Sequence, residues 1–192
     1  MVGAWGARFR GRTFPCAVGR AGIGAKVREG DGVTPAGVHR IEAVLFRRDR
    51  GAAPTREACA IGPGDGWSDD PTDPGYNAPV RLSQPGSKER LFRPDPVYDR
   101  VAVLDWNRHP VVPGRGSAIF LHAWRRPRHP TAGCIAFAPP DLAFILARWT
   151  RWSRVVVQAQ STKSLASYAV WSTALSAIKR YSSASGSASV LP

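Results

Sequence analysis

Glycine and proline set the tightest limit on what this chain can build. There are 19 glycines and 17 prolines among 192 residues. Both interrupt regular helix, so the chain is suited to many turns and short elements. That argues against a helical bundle and toward a β-rich domain with long loops. The length suits one domain, or one domain plus a tail. At 43% hydrophobic and 21% charged residues, a packed core is expected and wholesale disorder is not. No run approaches the ~18 apolar residues of a membrane span. Met1 to Val18 lacks the apolar run of a secretory signal, because Arg8, Arg10 and Arg12 interrupt it.

Alternation or β-branched runs predict short strands over 14–18, 38–46, 100–105, 117–122 and 154–158. Turn signals flank them at Glu29-Gly30-Asp31-Gly32, Thr34-Pro35-Ala36-Gly37 and Pro113-Gly114-Arg115-Gly116. One helix opens at Pro139-Pro140-Asp141 and carries Leu142, Ile145, Leu146 and Trp149 on one stripe. Asp141 is positioned to cap it or to favour its dipole. Residues 63–96 lack periodicity and read as a long loop region. The boundary falls after Gln158, giving a domain over 1–158 and an extension over 159–192. That extension predicts a weak helix at 163–180 and a disordered Ser-rich end.

The 27 basic and 14 acidic residues give a net charge of +13. An acidic stretch over 51–106 lies between two basic flanks, so folding can set a basic cleft beside an acidic loop. The charge attracts phosphate without specificity. No nucleic-acid motif accompanies it, so no specific nucleic-acid partner is expected. Cys16, Cys59 and Cys134 are an odd number without CxxC spacing, which disfavours a structural zinc site. Cys16 and Cys59 read as small buried hydrophobes.

The informative segment is 117–137. An apolar strand ends in His122, an Arg/Pro loop follows, and a small-residue turn, Thr131-Ala132-Gly133, ends in Cys134. A thiolate attacks carbonyls well, and a nearby imidazole can take its proton. Gly133 permits a tight turn whose N–H groups converge on one oxygen. Donors in such an oxyanion hole are each worth about 3–4 kcal/mol of barrier. Arg125, Arg126 and Arg128 are expected to lower the thiol pKa or to bind a substrate carboxylate. The alternative is a structural cysteine near an unrelated histidine.

At these residues the chain resembles the L,D-transpeptidase catalytic domain of the YkuD type. That family carries a strand-end His, a variable loop, then Ser/Thr-His-Gly-Cys and an apolar residue. Here it reads His122, then Thr131-Ala132-Gly133-Cys134-Ile135. Further similarity lies at Gly19-Arg20-Ala21-Gly22, Lys26, Glu29 to Gly32, Thr34 to Gly37, Trp67 to Pro71, Tyr76-Asn77, Tyr98-Asp99 and Gly116 to His122. It runs from about residue 13 to 158.

The resemblance implies a mainly β, β-sandwich-like domain with one or two short helices. It implies Cys134 as nucleophile, His122 as its base or ion-pair partner, and an oxyanion hole at Ala132, Gly133 and Cys134. The chemistry it implies is acyl transfer on peptidoglycan stem peptides through a thioester. An amine acceptor then gives a 3-3 cross-link, and water gives L,D-carboxypeptidase trimming. No metal or organic cofactor is implied, and the location implied is the periplasm or cell envelope. The chain departs from the pattern at Ala132, where many members have His, and in its short His-to-Cys gap.

Around this pair, Thr131 is expected to orient the cysteine turn and the Ala123 carbonyl to set the imidazole tautomer. Arg20 is a candidate for a substrate carboxylate or a surface salt bridge. Asp69 and Asp70 are candidates for binding a substrate amine or for closing a turn. Tyr76 and Asn77 either line the cleft or close the loop. A non-catalytic cell-wall-binding module on the same fold is the competing reading. A monomer is the default, because no apolar repeat marks an interface.

Overall fold

Alternation along two paired strands sorts the core into two halves. A computed structural model of the protein describes residues 1–159. In the strand Arg100–Leu104, Val101 and Val103 face one side and Ala102 and Leu104 the other. The antiparallel strand Phe120–Ala123 pairs Val103 with Phe120 and Val101 with His122. His122 therefore shares the face of Phe120, while Leu121 points to the opposite face.

These strands sit inside a six-stranded sheet. Its order is Cys16–Ala17, Ile135–Phe137, Phe120–Ala123, Arg100–Leu104, Ile41–Phe46 and Cys59–Ala60. A five-stranded sheet runs Arg12–Phe14, Gly6–Phe9, Val2–Gly3, Val155–Val157 and Gly37–His39. Its Val2, Ala7, Phe14, Val155 and Val157 share one core with Ala102, Leu104 and Leu121 of the first sheet. The helix Pro139–Leu146 joins that core through Leu142, Ile145 and Leu146. A two-turn helix is marginal alone. Burying each of these side chains is worth roughly 1.5–3 kcal/mol, so docking rather than propensity holds it. The opposite face packs Val101, Val103 and Phe120 against Ile61, Trp67, Leu91, Val97 and Tyr98. The fold is thus mainly β and sandwich-like.

Two predicted strands are each split between the sheets. The 14–18 run breaks at Pro15, which has no N–H for a ladder. Arg12–Phe14 stays in the five-stranded sheet and Cys16–Ala17 crosses to the six-stranded one. The 38–46 run is also divided, at Arg40, with Gly37–His39 on Val155–Val157 and Ile41–Phe46 on Arg100–Leu104. Residues 63–96 are not a plain loop. They hold a three-stranded sheet, Pro79–Arg81, Asp65–Ser68 and Lys88–Arg90, whose strands of three or four residues are too short to show a period. Asp141 makes no capping bond and contributes only as an acid in the first turn. Cys16 is buried as expected, but Cys59 lies exposed on the edge strand. No helix among the described residues is long and apolar enough to cross a membrane. The expected helix over 163–180 and the Ser-rich end lie outside the described residues.

Candidate active site

The site is built on a parallel strand pair. Phe120–Ala123 and Ile135–Phe137 run side by side, with Leu121 opposite Ile135 and His122 opposite Ala136. Residues 124–134 make the crossover. Cys134 stands one residue before the second strand, which brings it beside Phe120. The Phe120 N–H donates to Sγ at 3.4 Å, and the thiol donates to the Ala118 carbonyl at 3.1 Å. Cys134 is half-buried.

The turn before Cys134 is held from two sides. Thr131 Oγ1 accepts the Gly133 N–H at 3.1 Å and donates to the Cys134 carbonyl at 2.6 Å. Thr34, fully buried, donates to the Gly133 carbonyl at 2.8 Å and accepts the Gly19 N–H at 2.8 Å. Gly133 has φ 147°, and a Cβ there would stand 3.0 Å from the Val33 carbonyl oxygen and 3.2 Å from Ile119 Cδ1. Only glycine fits such a position without strain. Of the three oxyanion positions expected from the sequence, Gly133 has its N–H already taken by Thr131. The Ala132 and Cys134 N–H groups have no acceptor among the described residues.

Sequence reasoning placed Thr34 in a turn and in a motif of the resemblance but gave it no role beside Cys134. Thr34→Val keeps the shape and removes both hydrogen bonds. It is expected to cost about 2–3 kcal/mol in urea unfolding, with Thr34→Ser close to wild type.

His122 is buried, and its Nδ1 donates to the Ala123 carbonyl at 2.8 Å. A carbonyl can only accept, so Nδ1 carries the proton and Nε2 is the free acceptor. Its ring meets Tyr98 edge-on at 5.4 Å, and Tyr98 and Trp67 both meet Phe120 edge-on. Burial pulls the imidazole pKa down to about 4, against the opposing pull of the Ala123 bond. Burial pushes the Cys134 thiol up to about 12, against the Phe120 N–H; Glu89 raises it further and Lys26 lowers it. The resting pair is therefore neutral thiol and neutral imidazole. The lowering expected from Arg125, Arg126 and Arg128 is not found; desolvation dominates, and the cation acting on the thiol is Lys26.

A cleft of about 700 Å³ opens over this pair, with Arg20, Lys26, Asp69, Glu89 and Arg125 among its charged walls. Arg20 is exposed and donates to the Gly30 carbonyl at 2.8 Å. Asp69 presents a buried Oδ1 with no partner among the described residues. Asp70 is absent from the cleft wall. Its carboxylate closes a turn by accepting the Thr72 N–H at 2.9 Å and hydroxyl at 2.7 Å. Tyr76 and Asn77 are likewise buried away from the cleft. The Tyr76 hydroxyl donates to the Glu29 carboxylate and accepts the Gly116 N–H at 3.0 Å. Desolvation raises that hydroxyl above its ordinary value.

Asn77 reaches the thiol through one intermediary. Its Oδ1 accepts the Trp67 Nε1–H at 3.0 Å and the Ala118 N–H at 3.1 Å. Its Nδ2 donates to the carbonyls of Trp106 and Asn107 at 3.1 and 2.7 Å. Ala118 has φ 52°, a conformation costly for a residue with a Cβ. Asn77 thus holds the strained residue whose carbonyl receives the Cys134 thiol. Asn77→Ala strands several buried partners and is expected to lose more than about 3 kcal/mol in thermal or urea unfolding.

A thiol just ahead of one strand and a neutral imidazole on the parallel neighbour line one cleft of a sandwich-like β domain. The chain belongs to the L,D-transpeptidase catalytic domain family, whose YkuD family model matches residues 8–157. Peptidoglycan is the substrate class of this family, and its members are associated with the cell envelope. No curated protein matches the chain significantly.

Proposed function

We propose that the protein is a cysteine acyltransferase acting on peptidoglycan stem peptides. The observation that supports this is that Cys134 and His122 line one cleft, the imidazole with its Nε2 unclaimed and the Ala132 and Cys134 N–H groups without acceptors among the described residues. Both reacting groups rest neutral, so the proton moves as the attack occurs. The thiol proton passes from Sγ to His122 Nε2 while Sγ bonds the stem-peptide carbonyl carbon. The carbonyl π electrons move to oxygen and are met by backbone N–H groups. On collapse the C–N bond breaks, and His122 returns the proton to the departing D-amino acid. A thioester on Cys134 remains. An acceptor amine then releases it as a 3-3 cross-link, or water releases it as a trimmed peptide. The free amine of a diamino acid finds Asp69 and Glu89 on the cleft wall, and Arg20 and Arg125 are available to carboxylates. The reaction belongs to the periplasm or cell envelope, where its substrate lies.

Intact-protein mass spectrometry with a disaccharide-tetrapeptide tests this reading. The expected result is an acyl adduct on Cys134 or a cross-linked product. A folded protein that binds sacculi but forms neither is instead a wall-binding module.

A further inference from the structure

Lys26 is buried, at 4% exposure, yet it lines the cleft. Its stem passes Gly116, where a Cβ would stand 2.3 Å from the lysine Cε. Its ammonium donates to Asp31 Oδ1 at 2.7 Å. Asp31 is otherwise filled by the N–H groups of Val27, Arg28 and Val33, and these bonds hold its carboxyl well below the usual range. An ammonium has three N–H donors. Asp31 takes one, and no other acceptor among the described residues takes the remaining two. Buried donors are ordinarily satisfied, so these await an oxygen from outside the protein.

That ammonium lies 3.7 Å from the place a Gly133 Cβ would occupy, at the turn that has lost its Gly133 N–H to Thr131. We infer that Lys26, clamped by Asp31, is a catalytic residue that donates a hydrogen bond to the oxyanion formed at Cys134. The inference rests on the acyl-transfer reading above. No proton leaves Lys26. Its charge meets the electron pair that moves onto the carbonyl oxygen, and the interaction fades when the C–N bond breaks and the carbonyl re-forms. The charged or titratable groups acting on Cys134 are Lys26, Glu89 and Tyr98, and Lys26 is the cation among them.

Two reactions of the same thiol separate this role from a structural one. Acylation by p-nitrophenyl acetate passes through an oxyanion, whereas alkylation by iodoacetamide does not. In Lys26→Met the acylation constant is expected to fall about 100-fold. The ratio of acylation to alkylation constants is expected to fall at least tenfold. A smaller fall in the ratio overturns the inference, since a general disturbance of the turn slows both reactions alike. Removing Lys26 alone leaves Asp31 unpaired, so Lys26→Met/Asp31→Asn is measured beside it. The double variant decides if the single one does not fold. A wild-type thiol that alkylates but is never acylated defeats the acyl-transfer reading itself, and this inference with it.

Discussion

Cys134→Ala is expected to abolish acyl transfer, lowering turnover by at least about 10⁴-fold, while the protein stays folded. Removing the nucleophile of a comparable catalytic unit costs on the order of 10⁶ in turnover, and only binding and the oxyanion site remain. The fold is expected to tolerate the change for a specific reason. The lost bonds are one long N–H contact from Phe120 and one thiol donation to Ala118. The turn itself is secured by Thr131 and Thr34, which bind the backbone around Cys134 and do not depend on its sulfur. Intact mass after exposure to a disaccharide-tetrapeptide is the direct check. Adduct on wild type and none on Cys134→Ala is the expected pattern, whereas adduct on both places the chemistry elsewhere.

His122→Ala is expected to lower acylation by about 10²–10⁴-fold at neutral pH, the usual worth of a positioned general base. The pH profiles distinguish this role from a packing defect. In the wild type the base works when neutral, which holds above its pKa of about 4. The rate is therefore flat from about pH 5 to 9 and falls as pH drops through 4, one decade per unit. In His122→Ala the thiol must ionise unaided, and burial holds it up at about 12. The variant's rate is expected to climb about tenfold per pH unit over that interval, so the deficit narrows as pH rises. A wild-type midpoint near 6.5 would instead mean a solvated imidazole and defeat the neutral-pair mechanism. Stopped-flow acylation across pH 3.5–9.5 reads both profiles.

The reading of the sequence succeeded where a residue's chemistry or a period was strong. Alternation at 100–105 and the apolar stripe on Leu142, Ile145 and Leu146 have direct counterparts in the strand Arg100–Leu104 and the helix. It fell short where geometry is set by distant partners. The 117–122 run alternates as a strand, yet pairing begins only at Phe120, because Asn77 captures Ala118 in a left-handed conformation. Ile135–Phe137 is wholly buried and three residues long, so no alternation announces it. The strands within 63–96 are pinned by Trp67 and Leu91 docking under the larger sheet. At the candidate site, the meeting of His122, Cys134 and the Thr131 turn in one cleft was legible, because their residue types and order mark them out. The buried state of Lys26 was not, because a lysine opening a charged, glycine-rich segment looks solvated until Gly116 and Asp31 enclose it. The neutral state of the pair was hidden for the same reason, since desolvation belongs to the fold rather than to any residue.

The parallel pairing of Phe120–Ala123 with Ile135–Phe137 has a consequence for how such a domain diversifies. The spacing of imidazole and thiol is set by strand register, His122 against Ala136, and not by the chain that joins them. That joining chain, residues 124–130, nonetheless supplies Trp124, Arg125 and His129 to the cleft wall. Insertions or exchanges around Arg126 and Pro127 can therefore reshape what the cleft admits while the reacting atoms keep their separation. Reactivity and selectivity are inherited on separate stretches of the polypeptide, and a new acceptor can be acquired without re-evolving the chemistry.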